Sequence, residues 1–328
     1  MHHVNKNSPA PAALKTVISF LFLILSVFHF VPSAKAQAFT QLVEAAPSVE
    51  VPYAPVPQNA TLFTPAPGLN VYFLNVGQGD SIYIELPGGG NALIDGGPYK
   101  AADGPLARFL ADKKVTRIDQ VVLTHPHSDH YNGLEYVFSN MTVGNFYDTR
   151  MDNKGATGDN TLRAQVKTLG VNTVYPAAGD RLDWSAPGVE VKVFNACSAP
   201  GLSSNSDALN NCSITFKLSY RGASLLFTGD TQDDAEARLV AAYGAELKAD
   251  VLKVGHHGSK YSSTDIFLKA VRPAKAYIEV GKNNYGHPTQ GALERLRAVG
   301  AQIFRTDLDD TQAFSVAGSA ELVELPAE

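Results

Sequence analysis

A cluster of three histidines and an aspartate constrains the fold of this chain more than any other feature. It occupies residues 124–130, with the sequence Thr-His-Pro-His-Ser-Asp-His, directly after the apolar run 121–123. The apolar run predicts a buried strand, so we expect the cluster on the loop at its C-terminal end, where α/β sheets place ligand sites. A loop can turn His125 and His127 toward one point, which a helix cannot do for residues two positions apart. Since imidazole and carboxylate bind first-row metals, the cluster predicts a metal site.

The N-terminal residues have the pattern of a secretory signal peptide. An apolar run over residues 17–31 follows two lysines, and small residues around Ala36 form a cleavage pattern. We predict a signal peptide over residues 1–36; a membrane anchor is the alternative, disfavoured because the run is short for a bilayer span. Residues 37–68 are rich in proline and alanine and predict a linker or surface arm. The folded domain is expected over residues 69–328, exported to the periplasm or outside the cell without stable membrane insertion.

The two cysteines of the chain, Cys197 and Cys212, predict a disulfide, because an exported protein meets an oxidising compartment. The bond would close a loop of residues 198–211 that is rich in serine and asparagine. Two free buried thiols are the alternative. Metal ligation by thiolate is disfavoured because the cysteines do not form a close pair.

Predicted strands and helices alternate along residues 69–328. Two successive hairpins over residues 71–94 indicate an antiparallel start. Later strands are predicted at residues 118–123, 189–194, 213–220, 223–227 and 251–254, and helices at 106–113, 233–243, 265–271 and 290–299. Strand-rich halves with interspersed helices predict an α+β fold in which two sheets pack face to face with helices outside, an αββα sandwich.

Polar residues beside glycines follow three more predicted strands, so the fold can bring them toward the cluster. Asp230 is a candidate bridging carboxylate between two metals, with a turn aspartate as the alternative. His256 and His257 lie between two glycines, which makes structural core histidines the less favoured interpretation. Asp95 is predicted to hydrogen-bond a ligand imidazole or to cap a turn. His287 is assigned either to substrate contact or to loop structure.

The His-x-His-x-Asp-His cluster resembles the signature of the metallo-β-lactamase superfamily. Further motifs are similar to the C-terminal hydrolase domain of ComEC competence proteins, and the resemblance runs from about residue 71 to residue 307. These motifs are the segments at residues 73–81, 93–97, 210–213, 227–230, 252–260 and 285–288. The resemblance implies an αββα metallo-β-lactamase-like fold and metal-dependent hydrolysis in a free-standing, exported relative.

Carried over residue by residue, the resemblance implies a site for two divalent metal ions. The implied ligands are His125 and His127 for the first ion, Asp129, His130 and His256 for the second, and Asp230 as the bridge. His257 is the substitute for His256. We expect zinc at both positions, with manganese as the alternative.

One departure from the superfamily pattern concerns the first metal position. Many members have another histidine between the cluster and the bridging aspartate, whereas no histidine occurs between His130 and His256. ComEC-like sequences resemble this one in having an Asn-Asn-x-Ser segment there, so Asn210, Asn211 or Ser213 is expected near the first metal. A neutral ligand would weaken that position and favour manganese.

The resemblance implies a phosphodiesterase or nuclease that uses a metal-bound hydroxide. Asp129 would orient the hydroxide, and His257 or His287 would protonate the leaving alkoxide. Asp80 lies in the glycine turn 77–81 and is assigned to the surroundings of the metals or to substrate contact. The turn itself predicts either a phosphate-binding nest of backbone N–H groups or a tight hairpin turn.

The expected partner is a phosphodiester, DNA or nucleotides, and the sequence identifies no protein partner. The formal net charge is −5 and no strongly basic run occurs, so electrostatics do not predict tight duplex binding. One alternative is a hydrolase of a smaller ester: a phosphorylcholine-type phosphodiester, a lactone or a β-lactam. Another is a non-catalytic binding module with a structural metal, which is less favoured because structural sites are closed and four-coordinate.

Overall fold

The computed structural model describes residues 68–197 and 199–316, together with the backbone of residues 322–325. The predicted signal peptide and almost all of the proline-rich arm lie outside these ranges. Within them, the chain folds into two main sheets with helices on the outer faces. In the ranges described, no helix combines the length and the apolar character needed to cross a bilayer.

The strands are numbered in chain order. They are β1 (Leu69–Phe73), β2 (Ile82–Glu85), β3 (Asn91–Ile94), β4 (Arg117–Val122), β5 (Thr142–Tyr147), β6 (Met151–Asn153), β7 (Asn172–Val174), β8 (Arg181–Leu182), β9 (Val189–Asn195), β10 (Gly201–Ser203), β11 (Thr215–Tyr220), β12 (Ala223–Phe227), β13 (Val251–Lys253), β14 (Lys275–Ile278), β15 (Gln302–Arg305), β16 (Gln312–Val316) and β17 (Leu322–Leu325). The first sheet has the order β17-β16-β1-β2-β3-β4-β5-β7, and the second has the order β15-β14-β13-β12-β11-β9-β8. The antiparallel pairing of β1, β2 and β3 confirms the predicted start.

Helices cover the outer face of each sheet. The helices of the described residues are α1 (Pro105–Asp112), α2 (Ser128–Asn140), α3 (Gly158–Thr168), α4 (Ser206–Asn210), α5 (Asp233–Tyr243), α6 (Asp265–Val271), α7 (Gln290–Ala298) and α8 (Thr306–Asp309). Apolar residues of α1, α2 and α3 pack on the first sheet, and those of α5, α6 and α7 pack on the second.

A third apolar layer fills the space between the sheets. Along β11, the alternate residues Phe216, Leu218 and Tyr220 face this layer, as the period of a strand requires. Phe73 of the first sheet stacks on Tyr277 of the second, with ring centroids 4.2 Å apart. The predicted αββα sandwich is therefore confirmed.

The histidine cluster differs from the prediction in one respect. Helix α2 begins at Ser128, inside the cluster, whereas the sequence predicts a loop for the whole cluster. Asp129 consequently lies in the first turn of α2, where the helix dipole favours a carboxylate. The loop therefore ends at His127, and His130 projects from a helix.

The predicted disulfide between Cys197 and Cys212 is confirmed. The segment that it closes contains β10, which pairs in parallel with β6. The segment also contains α4, whose N-cap Asn205 accepts hydrogen bonds from two backbone N–H groups. The disulfide thus closes a structured segment, although the sequence analysis described it only as a loop.

Removing the disulfide is expected to lower the free energy of unfolding by about 3 kcal/mol. The reason is that a cross-link across 15 residues reduces the conformational entropy of the unfolded chain, and its removal restores that entropy. Urea unfolding of the Cys197→Ser/Cys212→Ser variant without reductant measures the difference. Wild type in the presence of a thiol reductant should reproduce the value of the variant. Equal stability of the oxidised wild type and the variant would contradict the expectation.

Candidate metal centre

The candidate metal centre lies at the C-terminal ends of strands from both sheets. In the first sheet, Asp95 follows β3 and the cluster follows β4; in the second, Asp230 follows β12 and His257 follows β13. Each of these strand pairs is parallel, so its C-terminal ends share one edge of the sheet. Because the two sheets pack face to face, these two edges meet, and they bring together residues far apart in sequence.

Asp95 anchors the cluster at two points. Its carboxylate accepts hydrogen bonds from the backbone N–H and the hydroxyl of Thr124, at 2.8 and 2.7 Å. The same carboxylate lies 2.8 Å from Nδ1 of His130. The predicted bond from Asp95 to a ligand imidazole is present, and it directs Nε2 of His130 toward Asp230.

Asp230 lies at the centre of the histidine rings. Its Oδ2 is 3.4 Å from Nε2 of His130, 3.6 Å from those of His125 and His257, and 3.8 Å from that of His256. Burial raises the pKa of Asp230, but the charges of His257 and His130 outweigh burial and hold it well below its usual range. An ionised carboxylate among several imidazoles is the arrangement that a bridging ligand requires.

Four overlapping groups of the described side chains can each hold a metal ion, and the two that lack Asp80 contain the candidate ligands of the cluster. His125, His130 and Asp230 form one group, and Asp129, His130 and His257 form the other; within each, the ligand atoms lie within 4.8 Å of one another. Nε2 of His257 is 3.5 Å from Oδ2 of Asp129. The structure therefore places His257 in the second group.

His256, the ligand that the resemblance implied for the second metal, lies outside both groups. Both histidines adopt left-handed backbone angles, with φ of 49° at His256 and 53° at His257. In this conformation the two side chains diverge. His257 turns inward, whereas His256 remains partly exposed and lies against His287, with ring centroids 5.3 Å apart. The geometry therefore favours His257 over His256 as the histidine of the second group.

Several buried atoms of the centre have no hydrogen-bond partner within the described part of the chain. Three of them are Nε2 of His130, Nε2 of His257 and Oδ1 of Asp230. Since buried polar groups are normally bonded, each requires a partner. All three belong to ligand types that bind first-row metals, so these residues fit a metal ion.

The charge of the centre also suits cations. Burial lowers the pKa of His257, but the carboxylates of Asp230 and Asp80 outweigh it and raise the pKa to about 10. For the same reason Asp230 and Asp95 hold the pKa of His130 well above its usual value, against the effect of burial. The buried carboxylates therefore require positive charge nearby, which metal ions would supply in place of protons.

His125 and His127 turn one nitrogen each toward a common point. Nε2 of His125 lies 2.9 Å from Nδ1 of His127. Nδ1 of His125 lies 3.1 Å from the hydroxyl of Thr124. Nε2 of His127 lies 3.4 Å from the hydroxyl of Ser206. Burial lowers the pKa of both rings and keeps them neutral, the form in which imidazole binds metals.

The segment expected to replace the missing histidine lies beside the centre. The hydroxyl of Ser213 accepts a hydrogen bond from the backbone N–H of Asp230, at 3.0 Å. Oδ1 of Asn211 accepts from the backbone N–H of Gln232. Asn210 is buried and lies on α4 one turn after Ser206, whose hydroxyl is 3.4 Å from Nε2 of His127. The segment thus lies beside both His127 and Asp230.

One buried charged residue of the centre, Lys253, was not found from the sequence, and it pairs with the predicted Asp80. Nζ of Lys253 lies 2.7 Å from Oδ2 of Asp80, and Oδ1 of Asp80 lies 3.2 Å from Nδ1 of His257. The backbone oxygen of Glu279 lies 2.8 Å from the same nitrogen. Asp80 and Lys253 thereby fix the orientation of His257. A lysine within the apolar strand β13 was the signal that could have revealed this pairing.

His287 lies at the open side of the centre, between His256 and the exposed ring of Tyr285. Burial and the neighbouring His256 lower the pKa of His287 to about 4. The ring is therefore neutral at pH 7. Its position beside the partly exposed His256 agrees with substrate contact, one of the two roles predicted from the sequence.

Comparison with known proteins agrees with the fold and the cluster. Residues 74–148 match the model of the Metallo-beta-lactamase superfamily. The chain is 30% identical over 260 residues to ComE operon protein 3 of Bacillus subtilis (strain 168), covering 74% of this chain and 32% of that protein. It is 30% identical over 245 residues to Competence protein ComA of Neisseria gonorrhoeae, covering 74% of this chain and 31% of the relative.

A solved structure of a mutant CmlA beta-hydroxylase superposes with a TM-score of 0.50 at 14% identity, covering 77% of this chain and 55% of that chain. At this identity the likeness concerns the fold alone. The present chain spans about a third of the length of the two competence relatives. It has a metallo-β-lactamase domain and is homologous, over most of its length, to the competence proteins of Bacillus subtilis and Neisseria gonorrhoeae.

Proposed function

We propose that this protein is an exported, metal-dependent phosphodiesterase or nuclease that acts on DNA or nucleotides with two divalent metal ions. The observation that carries the proposal is that the carboxylate of Asp230 lies 3.4–3.6 Å from imidazole nitrogens of both ligand groups, those of His125, His130 and His257. A shared carboxylate with open surroundings suits a catalytic dinuclear site better than a closed structural one. Homology to competence proteins supports a nucleic acid as the substrate, and the predicted signal peptide supports export.

Bound divalent cations would activate a water molecule and take up charge on the phosphate oxygens. His125, His127 and Asp230 would hold one ion, with the group of Asp129, His130 and His257 holding the other. Asp129 is the partly exposed ligand of the second group. Its side chain is 32% exposed, so its carboxylate would accept a hydrogen bond from the attacking water, which orients the water for attack.

His257, one of the two residues predicted to protonate the leaving oxygen, is poorly suited to that role because both of its ring nitrogens face other groups of the protein. Nδ1 of His257 is engaged by the backbone oxygen of Glu279, and Nε2 faces Asp129 and Asp230. His287 belongs to neither ligand group, and it lies nearer the open side of the centre. Because its ring is neutral at pH 7, we propose that it donates a hydrogen bond to the substrate.

Hydrolysis of bis-p-nitrophenyl phosphate tests the proposal directly. The protein without residues 1–36 is stripped of metal with a chelator and then refilled with Zn²⁺ or Mn²⁺. We expect no turnover by the stripped protein and restored turnover after refilling, because the activated water depends on the cations. Restored activity would justify DNA as the next substrate.

Two outcomes would contradict the proposal. One is cleavage that survives complete removal of metal. The other is the absence of cleavage in protein that demonstrably binds two metal ions. In that second case, a lactone or another smaller ester becomes the substrate to test, and failure on every such ester would favour the non-catalytic binding module.

A further inference from the structure

We propose that the amide oxygen of Asn210 completes the first metal position, together with His125, His127 and Asp230. The inference rests on the proposed metal-dependent function and specifies the ligands of one of its two ions. It assigns an oxygen ligand to the place where a further histidine is missing from the chain.

The first observation concerns the burial and the hydrogen bonding of the Asn210 side chain. The residue is 1% exposed, and its Oδ1 has no hydrogen-bond partner among the described residues. A buried carbonyl oxygen without a partner costs about 1–3 kcal/mol. Ser206 and Asn210 lie four residues apart on α4 and so share one face of the helix. Because the hydroxyl of Ser206 is 3.4 Å from Nε2 of His127, a cation bound by His127 would satisfy this oxygen.

The backbone holds Asn210 in place independently of any ion. Asn210 is the last residue of α4, and its carbonyl accepts a hydrogen bond from the backbone N–H of Ser213, at 2.9 Å. The hydroxyl of Ser213 in turn accepts from the backbone N–H of Asp230. The disulfide at Cys212 closes the same segment. Asn210 is therefore tied to the bridging carboxylate, and a ligand must be positioned in this way to bind with little loss of entropy.

The ligand chemistry makes the two positions unequal. The first position would have two neutral imidazoles, a neutral amide oxygen and a share of the charge on Asp230. The second position has the additional carboxylate of Asp129. Fewer charges weaken binding at the first position, and an oxygen ligand shifts its preference from zinc toward harder ions such as manganese.

Titration of the metal-free protein with Mn²⁺ tests the assignment. Equilibrium dialysis gives the number and affinity of bound ions, and electron paramagnetic resonance reports magnetic coupling between adjacent ions. We expect wild type to bind two ions with unequal affinity. Asn210→Ala should raise the dissociation constant of the weaker ion at least about tenfold and remove the coupling, while the tighter ion binds as in wild type.

Asn210→Asp provides a second, nearly isosteric variant that adds a charge. Because a carboxylate binds cations more strongly than an amide does, it should tighten the weaker ion. Asn140→Ala, at the exposed end of α2, is the matched control and should bind both ions as wild type does. Thermal unfolding of each variant verifies that it is folded.

Three results would overturn the assignment. They are wild type that binds a single Mn²⁺, Asn210→Ala that retains both affinities, and Asn210→Asp that leaves the weaker affinity unchanged. These results do not depend on hydrolysis. If two ions bind as expected but no phosphodiester is cleaved, the proposed function fails and the ligand assignment stands.

Discussion

Asp230→Asn is expected to abolish metal-dependent hydrolysis while the fold survives. The carboxylate lies within 3.4–3.8 Å of four imidazole nitrogens, so it is the group that both metal positions share. An amide of the same shape carries no charge and cannot bridge two cations. We expect kcat to fall at least about a thousandfold, since electrostatic groups at such sites supply effects of this size. Turnover of bis-p-nitrophenyl phosphate measures the loss.

Metal content and circular dichroism accompany this measurement. The variant should keep the circular dichroism of wild type and bind fewer ions. Asp234→Asn, an exposed aspartate in the first turn of α5, is the matched control and should retain full activity. Wild-type turnover by Asp230→Asn with two ions bound would show that Asp230 is not the bridging ligand.

The convergence of these residues at the candidate metal centre could largely be predicted from sequence, because each follows an apolar strand. Asp95, Asp230 and the histidine pair all lie beside glycines at strand ends, and parallel strands carry such residues to one edge of a sheet. The choice between His256 and His257 was not predictable. It depends on left-handed angles at both residues, which point adjacent side chains in different directions and leave no trace in the residue types.

The ion pair between Lys253 and Asp80 could not be predicted from the sequence for a different reason. Lys253 and Asp80 lie far apart in sequence and meet only because the two sheets pack face to face. Sequence patterns report the period of a strand and its ends, but not which residue of the opposite sheet lies across from it. The start of α2 inside the cluster was likewise missed, because Pro126 and Ser128 gave the cluster the composition of a loop.

Gly133→Ala is expected to destabilise the protein and to damage the metal centre together. A Cβ atom at Gly133 would lie 1.9 Å from the backbone oxygen of Gly96, so the backbones of α2 and the turn after β3 must separate. Overpacking of this kind typically costs about 1–3 kcal/mol, and more where backbone opposes the added atom. The same contact sets how closely Asp95 approaches His130, now 2.8 Å. Urea unfolding measures the first effect, and the affinity for Mn²⁺ measures the second.

Gly291→Ala separates steric overlap from the general effect of removing a helical glycine. A Cβ atom there, in the first turn of α7, meets only the end of the flexible Arg295 side chain, at 3.4 Å. Alanine is the better helix former by about 1 kcal/mol, so this variant should be as stable as wild type or more stable. If Gly133→Ala behaved in the same way, close contact between α2 and the Asp95 turn could not be what positions His130. If it loses stability and metal affinity together, the glycine pair is as necessary to the centre as the ligands, because it allows the helix to reach the carboxylate.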